Sequence, residues 1–276
     1  MRIDAHQHYW SIARTDYGWL TPETGVLYRD YQPDELKPLL EEHGLDASIV
    51  VQAAPTTEET EYMLSLADRE PAIAGVVGWL DFEGDSFDRD YRRFRANPKF
   101  VGVRPMIQDL PSEWLLRERV VERFRLLAAE RFPVDLQANP RHLPFIADLL
   151  QQVPDLQAVI DHLAKPMMDR GELEPWASQM SAIANYPGVM CKLSGMVPDK
   201  HDPAWSEAVI RPFAAHAIRV FGPKRVMFGS DWPVCLNAAT YAQVRELASS
   251  LLGEGLTEEA KQDVYGGNAA RFYRLG

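Results

Sequence analysis

Cysteine is scarce in this 276-residue chain. Cys191 and Cys235 are the two present, too few for a disulfide framework, and both read as small packing residues. No apolar run approaches the length of a membrane span, and the first residues lack the basic and apolar regions of a secretory signal, so a cytoplasmic protein without a membrane partner is expected. Positive charge is also short. Lys and Arg number 29 against 40 Asp and Glu, and the net charge of −11 disfavours nucleic acid as a partner. No Gly-x-Gly-x-x-Gly or Walker-type loop follows an early strand, so no phosphate cradle is visible. Repeats, low-complexity tracts and linkers are missing too, so residues 1–276 read as a single domain.

What the chain has is alternation. A hydrophobic fraction of 46% supplies a core, and short apolar runs recur near 2–6, 47–52, 73–80, 100–104, 133–137, 157–161, 189–194 and 225–230. Between them the pattern becomes helical, at 33–43, 57–70, 114–131, 141–151, 172–186 and 203–221, with a last pair starting at Thr240 and Thr257. Continuous apolar strands are buried on both faces, as in a parallel sheet covered by helices. Eight such units predict an α/β fold of the (β/α)8 TIM-barrel type, with an open doubly wound sheet as the alternative. An aromatic insertion at about 9–32 reads either as a loop packed on the barrel rim or as a substrate cover.

In such a barrel chemistry collects at the C-terminal ends of the strands. The segment RIDAHQHY places His6 and His8 two apart on strand 1, where alternate residues project the same way, and two convergent imidazoles are half of a divalent cation site. Strand 6 stops at Asp161, His162 and Lys165 in AVIDHLAKP, and strand 8 stops at Asp231 and Trp232 in RVMFGSDWPV. The other ends offer Gln52, Trp79, Arg104, Gln137, Lys192 and Ser194. His43, His142, His201 and His216 stand on helices, at a helix start or in a loop and are given no catalytic role.

The His-x-His pair, the His closing strand 6 and the Asp in FGSDWP resemble the amidohydrolase superfamily. YGWL at 17–20, VQAAP at 51–55, GVRPMIQ at 102–108, DHLAKP at 161–166, CKLSG at 191–195 and GGNAARFY at 266–273 are similar to its sugar-lactonase and dicarboxylate-lactonase branch. The resemblance runs end to end. It implies a carboxylic ester hydrolase that opens a small lactone, a sugar lactone such as L-fucono- or L-rhamnonolactone first and a dicarboxylate lactone second. A metal-dependent decarboxylase of the same superfamily and a non-catalytic sugar-binding barrel are the rival readings.

Two-metal members of the superfamily use a Lys or Glu from strand 4 and a His from strand 5, and here those places hold Arg104 and Gln137. A guanidinium has no lone pair for a cation, so a single divalent ion is expected, Zn2+ foremost, on His6, His8 and Asp231, with His162 as a candidate further ligand; the resemblance leaves the need for the ion open, since the dicarboxylate lactonase of the branch works without one. Ester hydrolysis needs an activated water, a stabilised oxyanion and a proton for the leaving alkoxide. Asp231 is the expected base, with His162 or Arg104 polarising the carbonyl. Trp19, Trp79 and Trp232 are expected to stack on the substrate ring, and Gln52, Gln137, Lys165 and Ser194 to bond its hydroxyls.

Overall fold

The computed structural model describes residues 1–197, 205–253 and 255–276. Its eight strands are β1 (Ile3–Gln7), β2 (Ala47–Val51), β3 (Ile73–Gly78), β4 (Phe100–Val103), β5 (Val134–Leu136), β6 (Ala158–Ile160), β7 (Val189–Leu193) and β8 (Val226–Phe228). They form one parallel sheet in chain order. The ends of the sheet meet where the Asp231 amide donates to the His6 carbonyl (2.8 Å) and the His8 amide to that of Trp232 (2.7 Å), so β1 closes against the segment after β8. The expected (β/α)8 barrel is the fold.

Following the strands come α1 (Pro33–Glu42), α2 (Thr57–Ala67), α3 (Phe87–Arg95), α4 (Glu118–Ala129), α5 (Leu143–Gln152), α6 (Trp176–Ala184), α7 (Glu207–Phe221) and α8 (Tyr241–Leu252), then the short α9 (Glu258–Gln262) and α10 (Asn268–Phe272). The sequence pattern overlooks α3. Its nine residues FDRDYRRFR include six charged ones, which masks three rings at helical spacing, Phe87, Tyr91 and Phe94, all buried. Each buried ring contributes about 1.5–3 kcal/mol, enough to hold a charged segment against the barrel. Two predicted helices start late: a 3-10 turn, Ser112–Leu116, precedes α4, and α6 begins only after Pro175. The predicted start of the seventh helix at Pro203, like His201, falls outside the described residues.

One apolar cluster lies between sheet and helices. A second fills the barrel interior, built from Ile3, Ala5, Ile49, Val51, Val77, Val159 and Met227 and joined by Phe272 and Tyr273 from the C-terminal segment. Cys191 and Cys235 are free and buried, as packing residues should be. Strand β1 carries an irregularity that matters for function. Asp4 pairs with Ser48 but Gln7 with Val50, so β1 spends three steps where β2 spends two. Such a bulge re-aims side chains. Ala5 packs in the inner cluster, and His6, the next residue, also turns inward onto Lys192, while Gln7 turns out to Ser48.

Candidate active site

The strand ends bring four of the expected residues to one place. His6 Nε2 lies 3.7 Å and His8 Nε2 3.3 Å from Asp231 Oδ1, and the rings of His6 and His162 are 4.5 Å apart. Backbone conformation holds them there. Asp231 has φ +59°, and the four residues from His162 to Lys165 have φ between +48° and +58°. A left-handed conformation costs a non-glycine residue about 1–2 kcal/mol, so five of them around one point mark a site where geometry is kept at the expense of stability. Gly195, also left-handed at +51°, is needed for a second reason: a Cβ there would stand 2.5 Å from His162 Nδ1 and 3.1 Å from Asp231 Oδ2.

Whether a cation suits this cluster is answered by the lone pairs. His8 Nδ1 lies 2.7 Å from the Val51 carbonyl, an acceptor, so Nδ1 carries a proton and Nε2, 3.3 Å from the Asp231 carboxylate, is the nitrogen left to offer a lone pair to a cation. His6 Nε2 is buried with no hydrogen-bond partner among the described residues. Three ligand atoms, one each from His6, His8 and Asp231, lie within 4.8 Å of one another, and a divalent ion relieves the repulsion among them. His6, Asp161 and His162 make a second group of the same size. That position is already served by a side-chain cation, because Lys192 Nζ lies 3.1 Å from Asp161 Oδ1 and 3.2 Å from His6 Nδ1. The residues fit one ion, on the His6, His8 and Asp231 side.

Sequence reasoning gave Lys192 and Asp161 no role and overlooked Asp135. The three form a fully buried charge network under the site. Lys192 Nζ bonds to Asp135, Tyr273 Oη donates to both Asp135 oxygens (2.8 and 3.0 Å), and Arg104 Nη1 lies 3.5 Å from Asp161 Oδ2. Burial raises the Asp135 carboxyl; at Asp161 burial is outweighed by Lys192 and His6, which hold it well below its usual range. A lone Asp in PVDLQ and a lone Lys in VMCKLS, inside runs otherwise apolar, were the available signal.

Above the network opens a pocket of about 260 Å³, lined by His8, His162 and Asp231 together with Trp19, Arg104, Gln137 and Lys165. Thr24, Leu27, Ala53, Met106, Gln108, Asp109, Val234 and Asn237 complete the lining and were not picked out from sequence. Arg104 donates through Nη2 to the Gln52 carbonyl, while its Nε and Nη1 make no hydrogen bond among the described residues. Lys165 Nζ donates to Gln108 Oε1 at 3.0 Å. The other expected contact residues stand behind this wall. Gln52 is buried and its amide donates to the Arg104 carbonyl (2.8 Å); Ser194 Oγ lies 2.9 Å from His162 Nδ1; the Trp232 ring packs edge-on against Tyr9 and Tyr31; Trp79 is half-buried, with its backbone bonded to Thr60. Among the histidines given no role, His142 accepts from the Asn139 amide and His216 bonds to the Ala177 carbonyl, both structural uses.

Electrostatics separate the ionisable groups. Burial pushes Asp231 up, yet the His162, His8 and His6 rings outweigh it, so the carboxyl falls well below its usual range and is ionised near neutral pH. Burial lowers His162 to about 4, leaving it neutral. The aromatic insertion is both rim packing and pocket wall: Trp10 and Tyr31 pair across its base, and Trp19, Thr24 and Leu27 reach the pocket.

Comparison with known proteins bears on the same residues. The amidohydrolase family model matches residues 3–275. Two curated relatives, each named L-fucono-1,5-lactonase, are similar over nearly full length: that of Burkholderia ambifaria at 36% identity (99% of this chain, 96% of the relative) and that of Burkholderia multivorans at 37% (100% and 96%). A crystal structure of a Burkholderia multivorans amidohydrolase with bound zinc superposes with a TM-score of 0.94 at 35% identity, covering all of both chains. No helix among the described residues is long and apolar enough to cross a membrane. Because the match spans the strand that carries His6 and His8 and the turn that carries Asp231, this chain belongs to the amidohydrolase family.

Proposed function

We propose that this protein hydrolyses a sugar lactone, a six-membered aldono-1,5-lactone of the L-fucono type foremost, to the open-chain hydroxy acid. The observation that carries this reading is the convergence of the His6, His8 and Asp231 ligand atoms beside a pocket that also presents the donors Arg104, Gln137 and Lys165 and the Trp19 ring. The near full-length likeness to two L-fucono-1,5-lactonases supports the choice of ring.

Asp231, ionised near neutral pH, orients a water and takes its proton as the water oxygen bonds to the lactone carbonyl carbon. Negative charge then develops on the carbonyl oxygen. Arg104, which lines the pocket and whose Nε makes no hydrogen bond among the described residues, supplies positive charge beside it, and His162 can donate to it if Ser194 donates to Nδ1 and leaves the proton on Nε2. When the tetrahedral carbon collapses, the bond to the ring oxygen breaks, and Asp231 returns its proton to the departing alkoxide. The balance is one water consumed and one hydroxy acid formed. Zn2+ held by His6, His8 and Asp231 would supply Lewis-acid polarisation and lower the pKa of the water. Trp19 offers a face for the sugar ring, while Gln137 and Lys165 are placed for its hydroxyls.

A pH-indicator assay on a panel of aldonolactones tests the reading, because each turnover releases the proton of the new acid. Acid release fastest with a six-membered L-sugar lactone is expected. No acid from any aldonolactone, or CO2 released from a carboxylated aromatic run alongside, would overturn it.

A further inference from the structure

Glu59 is a fully buried carboxylate outside the charge network of the strand ends. It stands in the first turn of α2, where its amide donates to the capping Thr56 hydroxyl at 3.1 Å. Its two oxygens reach in different directions. Oε2 accepts from Tyr17 Oη at 2.5 Å and lies 3.6 Å from Arg14 Nε, both in the aromatic insertion, and Oε1 accepts from the Ala53 amide at 3.1 Å, just beyond β2. The Ala53 carbonyl in turn accepts from Trp19 Nε1 at 2.8 Å. Ala53 and Trp19 both line the pocket, whereas Glu59 does not. A second tie runs beside the first: Thr56 Oγ1 donates to Asp16 at 2.8 Å, and Asp16 pairs with Arg14 at 2.5 Å.

A carboxylate removed from water is costly and is kept where several donors converge on it. Here the donors come from two segments far apart in sequence, and their common product is the position of an indole that is itself 37% exposed and packs edge-on against the Trp10 ring at 5.3 Å. We propose that Glu59 is a positioning residue for substrate affinity, which fixes Trp19 against the pocket through Tyr17 and the Ala53 peptide without touching substrate. The proposal rests on the lactonase reading for its substrate and on geometry alone for the anchor. Burial raises the Glu59 carboxyl to about 7, offset in part by Tyr17, Ala53 and Arg14, with Asp16 opposing them. Tyr62, on the same helix, also interacts with it electrostatically. Once protonated, one oxygen becomes a donor facing donors, so the anchor loosens as the pH falls through about 7.

Tyr17→Phe keeps the ring and removes one hydrogen bond to a charged group, and Glu59→Gln removes the charge. Each is expected to raise KM for the best lactone about tenfold, the size of one such bond, with kcat within about twofold of wild type. On a Trp19→Phe background neither should raise KM further. The rise in wild-type KM below about pH 7 should vanish in Glu59→Gln. Acrylamide quenching of the Trp19 share of the fluorescence, wild type minus Trp19→Phe, should increase in both variants without any substrate present. KM and kcat falling together, an undiminished KM effect on the Trp19→Phe background, or unchanged quenching would overturn the proposal. A wild type that hydrolyses no lactone would sink the function proposed above, and the quenching measurement would still decide the anchor.

Discussion

The strand-end wall of the pocket and the wall supplied by residues 9–32 are held in different ways. His6, His162 and Asp231 sit on a buried frame: Lys192, Asp135, Asp161 and Tyr273 interlock beneath them, and left-handed backbone fixes the turns that carry His162 and Asp231. Removing one partner there leaves an uncompensated buried charge, which is strongly destabilising. Trp19, by contrast, is partly exposed, donates to the Ala53 carbonyl and packs edge-on against Trp10, while its segment is tied down by the hydrogen bonds of Tyr17 to Glu59 and of Thr56 to Asp16. In the proposed function the chemistry is built where geometry is rigid, and the choice of substrate where adjustment costs about one hydrogen bond.

The largest effect should come from breaking the rigid wall at its reacting atom. Asp231→Asn, nearly the same shape, should lower kcat about 10³-fold, the range of a lost general base, with near-UV circular dichroism unchanged. Weaker should be a change one step behind. Ser194→Ala removes the hydroxyl 2.9 Å from His162 Nδ1 and should lower kcat about tenfold while leaving KM nearly fixed, since it orients the ring and does not line the pocket. An effect on KM of equal size would erase the division between the walls.

The smallest effect is on stability and belongs to the adjustable wall. The folded state raises Glu59 from the usual 4.5 to about 7, so it favours the protonated form; that contribution is fully present below about pH 4.5 and is lost as the pH rises through about 7. The Tm of wild type relative to Glu59→Gln should fall across that interval. A difference that stays level would remove the buried-carboxylate account of the anchor.

The barrel was legible because eight apolar runs stop at polar residues, and all eight strands lie where the pattern placed them to within a few residues. His6, His8, His162 and Asp231 were legible because a strand-end position in a barrel predicts convergence whatever the distance in sequence. The bulge in β1 was not, since it depends on register against β2. A strand-end position alone marks Gln52, Ser194 and Trp232 as substrate contacts; in the structure Gln52 and Ser194 bond to Arg104 and His162, and Trp232 packs on the Tyr9 and Tyr31 rings, behind the pocket lining. The rest of the lining, Met106, Gln108, Val234 and Asn237 among it, lies in connections and single 3-10 turns too short for periodicity to encode. Asp135 was hidden by the same apolar run that revealed its strand.

The central claim, that His6, His8 and Asp231 together form a site for one cation beside the reacting water, is tested most directly by counting bound Zn2+ after equilibrium dialysis of the wild type and of His8→Ala. One ion per chain in the wild type and none in His8→Ala is the predicted result. Two ions, none, or full occupancy retained in His8→Ala would contradict it.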